Sequence, residues 1–139
     1  MSPLPAVLVS LHVLADLLWV GSIVAVAFIL GRSTPEPKVR GELAYSVYKK
    51  LANPAFLLAF TLGMAQLVMN VSYYFKATKF MHGKLLFALF VIGLHHVIGA
   101  RARKMAQGEK AEAGPAPAMG WALLACAGVA AALALVKPF

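Results

Sequence analysis

Residues 80–104 read FMHGKLLFALFVIGLHHVIGARARK, an apolar run interrupted by Lys84 and three histidines and closed by arginine and lysine. Its length decides what it is. Phe80 to Ala100 supplies the ~20 residues needed to cross a hydrocarbon layer of ~30 Å at 1.5 Å per helical residue. Three more such runs occur, at about 5–30, 54–75 and 119–136. None shows the apolar/polar alternation of barrel strands, and backbone groups in lipid must be bonded internally, so each run is predicted to be a helix. The expected fold is all-α: a four-helix transmembrane bundle forming a single integral membrane domain over residues 1–139.

Composition agrees with this reading. The chain is 61% hydrophobic and only 13% charged, with a mean hydropathy of +0.79, which excludes an ordinary soluble domain. The net charge of +8 lies between the apolar runs and is not gathered on one face, so it points to topology and not to nucleic acid. Arg32, Lys38, Arg40, Lys49 and Lys50 separate the first two spans, and Arg101, Arg103, Lys104 and Lys110 separate the last two. The middle connection holds only Lys76 and Lys79. The positive-inside rule therefore puts the first and third loops in the cytoplasm and both termini outside. No basic residue precedes the first run, which is too long for a signal-peptide core, so that span is expected to be retained. Cys126, the lone cysteine, reads as a small packing residue.

Within the first loop, Leu43, Val47 and Leu51 recur at helical spacing and predict a short interfacial helix. Asn53 is expected to cap the second span, with Pro54 in its first turn. The third loop, MAQGEKAEAGPAPA, has linker composition. Gly120, Ala125, Gly128 and Ala132 give the fourth span small residues suited to close helix approach.

Ionisable side chains deep in a bilayer cost several kcal/mol unless paired or facing a cavity, so a functional reading is the default for them. His12, Asp16, His82, Lys84, His95 and His96 qualify. In the first span His12, Asp16, Trp19 and Ile23 share one helical face. Asp16 is placed to hold one ring nitrogen of His12 and leave the other free to ligate, as in metal-binding histidines; a structural His–Asp pair is the plainer reading. In the third span His82 and His96 lie within ~40° of each other, as Lys84 and His95 do within ~20°, giving two polar stripes. Lys84 at the outer interface, His82 at headgroup level and one of His95 and His96 at the inner boundary are the plainer alternatives. Counted from the outer edge, His12 lies ~10 Å deep, His82 ~3 Å, Lys84 ~6 Å and His95 ~22 Å, so His12 can share a level with His82 or Lys84. Two imidazoles from different helices across an apolar gap are how a bundle holds haem b, which makes His12 and His82 the candidate iron ligands.

The stretch FMHGKLLFALFVIGLHHVIGARARKMAQGE, the spacing in LHVLADLLWVG, the run YKKLANPAF and the terminal LVKPF together resemble the HemJ family of bacterial membrane proteins, relatives of CopD-type domains. That resemblance implies a multi-pass protein of the bacterial inner (cytoplasmic) membrane that binds haem b and oxidises protoporphyrinogen IX, passing electrons to quinone. It also implies His12, His82, Lys84, Trp19 and Lys137 as cofactor-binding positions. Asp16 and His82 are the candidate catalytic groups for proton transfer, and Lys84 and Lys137 are candidates to hold propionates. The chain departs from the family pattern at Val24–Phe28, where a Leu-Pro-Arg segment is absent, and at Ala116–Met119, where Asn-Glu-x-Pro is absent. Two other functions stay open: a haem-b electron-transfer or accessory subunit of a larger membrane redox complex without oxidase activity, and a copper handler; the expected partners are the bilayer, a porphyrinogen or quinone, and either further copies of the chain or a larger membrane complex.

Overall fold

The computed structural model describes residues 3–136, with side chains from residue 5 onward, and the bundle is all-helical among them. Five α-helices run in order: α1 (Pro3–Leu30), α2 (Pro37–Val47), α3 (Asn53–Met69), α4 (Phe80–Ala106) and α5 (Ala116–Val136). Four helical stretches are long and apolar enough to cross a membrane: Pro5–Leu30, Pro37–Met69, Phe80–Ala106 and Ala116–Val136. The chain is a multi-pass membrane protein. Short connections make successive crossings antiparallel, so the start of α1 and the end of α5 lie at the same end.

The second crossing differs from expectation. Asn53 does not cap a new helix; its backbone is helical (φ −68, ψ −47), and its N–H donates to the Tyr48 carbonyl, five residues back. A π turn over Tyr48–Ala52 thus joins α2 to α3 without a break. Pro54 supplies the reason. Its ring lacks an N–H and would clash with the carbonyl four residues earlier, and a widened turn relieves both demands. The span also stops sooner, at Met69, where Asn70 leaves helical geometry (φ −137, ψ 42) before a second π turn at Tyr73–Ala77.

The face that α2 buries carries Arg40, Gly41 and Ala44, while Leu43 and Leu51 are exposed. Gly41 lies against the backbone of Met105 and Ala106, so α2 crosses the end of α4 too closely for any Cβ. Arg40 is buried there and donates from one guanidinium nitrogen to the Pro35 carbonyl at 2.6 Å and the Ser33 carbonyl at 3.4 Å, tying down the turn that precedes α2. The expected stripe of small residues on α5 resolves into one contact. Gly120 faces Ala27 of α1, Gly128 faces open space, and Ala125 and Ala132 are exposed.

Lipid tails are as apolar as leucine, so association of these helices rests on close packing and internal hydrogen bonds more than on the hydrophobic effect. The packed core runs from Ala15 to Leu30 on α1, through Ala44 and Ala52 to Ala59 on the second crossing, from Val91 to Met105 on α4, and through Ala116 and Leu123 on α5. Cys126 packs against its edge.

Candidate functional site

The face of α1 that carries His12, Asp16 and Trp19 meets α3 and α4 in two polar clusters about 10 Å apart along the helix axis. In the upper cluster Nε2 of His12 lies 3.3 Å from a carboxylate oxygen of Asp16, one helical turn on. The other ring nitrogen, Nδ1, is buried and has no hydrogen-bond partner among the described residues, with the Ala59 backbone nearby. Glycine at position 63 makes room for the ring, since a Cβ there would stand 3.0 Å from His12 Cε1. Lys84 of α4 lies close enough to act electrostatically on both His12 and Asp16. Two cationic or titratable groups thus flank one carboxylate, and the carboxylate is half open, with 38% of its side chain exposed against 14% for His12.

The lower cluster is walled by aromatic rings around one hydrogen bond. Trp19 donates its indole N–H to Nδ1 of His95 at 3.1 Å. Because Nδ1 accepts, a neutral His95 carries its proton on Nε2, and that atom is buried without a partner among the described residues. Rings enclose it: Phe56 at 4.9 Å, Tyr48 at 5.1 Å, His96 at 4.9 Å and Trp19 at 5.8 Å between centroids. Gly99 admits Tyr48, whose ring lies where a Cβ would go.

The π turn explains how Tyr48 and Phe56 reach the same imidazole. Eight residues of regular α-helix would leave them about 80° apart, but a turn holding one extra residue brings the offset back to about 20°. Local backbone chemistry at Pro54 therefore sets the geometry around His95.

The structure brings His12, Asp16 and Lys84 together, and it places Trp19 in the second cluster with His95. It does not bring His82 to His12: His82 is exposed near the start of α4, with its ring edge-on to Phe75 at 5.4 Å. Lys137 lies outside the described residues. His95 and His96 divide as their helical phase requires, the first fully buried and the second exposed. Among the described residues no group of three or more His, Cys, Asp or Glu could hold a metal ion.

Comparison with known protein families, with curated proteins and with solved structures gives no match to this chain.

Proposed function

We propose that this chain is a haem-b-binding protein of the bacterial inner membrane, with its termini outside, and that it oxidises protoporphyrinogen IX to protoporphyrin IX with electrons passed to quinone, as its resemblance to the HemJ family implies. One observation supports the haem reading: a largely buried imidazole in a membrane helix with a carboxylate on one nitrogen and, among the described residues, no hydrogen-bond partner on the other, which lies near the Ala59 backbone. That is the arrangement by which a carboxylate orients a histidine ligand and raises its basicity. On this reading His12 would hold the iron through Nδ1, and Lys84, within electrostatic range of His12 and Asp16, would pair with a propionate. His82, exposed near the start of α4 and edge-on to Phe75, is left out of this proposal. When bound, haem supplies a one-electron acceptor within the bilayer. The chain itself orients the ligand through Asp16, keeps Asp16 open to take a proton from a bound substrate, and shields the lower half of the bundle from water with the rings around His95.

A second reading is favoured by the Val24–Phe28 stretch. Val26 and Ala27 are core residues there, so this part of the face offers no guanidinium for substrate carboxylates. On that reading the same haem relays electrons within a larger membrane complex and no porphyrinogen is oxidised.

The test is the visible spectrum of detergent-purified protein, oxidised and dithionite-reduced, with and without His12→Ala. A Soret band that the substitution abolishes supports haem on His12; a colourless protein from cells supplied with precursor and iron overturns both readings. Quinone-dependent porphyrinogen loss separates the first from the second.

A further inference from the structure

A groove of about 720 Å³ runs between α1 and α5 on the outside of the bundle, away from both clusters. Gly21, Ala25 and Phe28 line its α1 side, Trp121 its α5 side, and Arg32 and Ser33 stand at its loop end. Two close contacts build it. Gly31 takes Pro117 against its backbone, where an added Cβ would come within 2.6 Å of the proline Cγ, and Gly120 takes Ala27. The helices are thereby pinned at the loop end, beside the trough.

The chemistry of the trough is graded along its length. At Gly21 a Cβ would meet nothing within 4 Å, so the far end is open and lined by small residues. Phe28 and Trp121 are large rings left 65% and 74% exposed. Arg32 makes no ion pair among the described residues; its guanidinium sits 6.0 Å from the centre of the Phe28 ring. An unpaired guanidinium at the end of an apolar trough, beside a hydroxyl and an indole, matches a molecule with a phosphate anion at one end and a hydrocarbon chain behind it. Guanidinium pairs with phosphate through two parallel hydrogen bonds, and tryptophan favours the headgroup level of a bilayer.

We propose that this groove is a binding site for one anionic phospholipid, with an acyl chain lying along Gly21 and Ala25 and the phosphate on Arg32 and Ser33. The site is separate from the His12 cluster and stands whether or not haem is bound there. Native mass spectrometry of the full-length protein in detergent, titrated with phosphatidylglycerol or phosphatidylcholine of equal chain length, tests it. One phosphatidylglycerol should bind first and about fivefold more tightly than phosphatidylcholine, the preference expected of one cation near the surface. Arg32→Gln should remove that preference, and Lys38→Gln, which takes an exposed charge from the first turn of α2 nearby in sequence, should keep it. Gly21→Phe, whose side chain enters open space, should weaken both lipids. Equal binding of the two lipids, or equal effects of Arg32→Gln and Lys38→Gln, would overturn the proposal. So would a stable dimer that Gly21→Phe dissociates, which would assign the groove to a second copy of the chain.

Discussion

The indole N–H of Trp19 and Nδ1 of His95 meet at 3.1 Å inside the core, joining α1 to α4 by a hydrogen bond between two buried side chains. Trp19→Phe leaves that nitrogen unpaired and should destabilise the protein by about 1–3 kcal/mol beyond its lost packing. His95→Leu removes the polar atom as well, so the double variant should cost less than the sum of the singles by about 0.5–1.5 kcal/mol. Thermal unfolding in detergent measures all three. Strict additivity would show that the bond contributes nothing.

Gly41 and Gly93 make a contrasting pair. A Cβ at Gly41 collides with the backbone of Met105 and Ala106, whereas at Gly93 it meets nothing within 4 Å. Gly41→Ala should therefore lower stability by about 1–3 kcal/mol by forcing α2 off α4. Gly93→Ala should be neutral or raise stability by up to about 1 kcal/mol through helix propensity. Unfolding temperatures that move together would contradict the close crossing.

Asp16→Asn keeps the shape of the side chain beside His12 and removes its charge. If His12 ligates iron, haem retention should fall about 10- to 100-fold, the usual effect of losing a ligand's carboxylate partner. Absorbance titration of the haem-depleted protein reads this directly. Unchanged affinity would leave the His12–Asp16 contact a structural pair.

The π turn permits a test by deletion. Removing exposed Leu51 together with Pro54→Ala takes out the extra residue and the reason for it, so Tyr48 and Phe56 should stay on one face and the protein should fold. Deleting exposed Leu57 instead rotates everything beyond it by about 100° and should prevent assembly. Near-ultraviolet circular dichroism, with the buried Trp19 as one reporter, distinguishes the two.

Much of this was legible in the residues because the bilayer restricts the choices. Span number and class follow from four apolar runs, and the His12–Asp16 contact follows from a four-residue step on one helix. What escaped the sequence depends on other helices. Asn53-Pro54 carries an ordinary helix-start signal, but α2 packs on α4 and holds the chain helical through it, so the proline is absorbed by a π turn. Leu43, Val47 and Leu51 form a regular stripe, yet the buried face is chosen by Gly41, which permits a backbone approach that no side-chain pattern reveals. His82 and Lys84 differ by two residues and so point to opposite sides of α4, and only the packing brings the lysine within electrostatic range of His12 and Asp16. His95 was visible as one of two adjacent histidines. Its partner Trp19 was marked by resemblance and by sharing the His12 face, but their pairing across 76 positions had no local signal.

The core that begins at Ala15 and thickens toward Leu30, Ala102 and Met105 gives the molecule a tight half and a loose half, with His12 beyond its thin edge. Brief separations of the helix ends are cheapest there, so amide deuteration should advance from the His12 end while the Arg40 end remains protected. If the haem proposed at His12 binds, it would enter by breathing at that end, and the knot of α1, α2 and α4 at the other need never come undone.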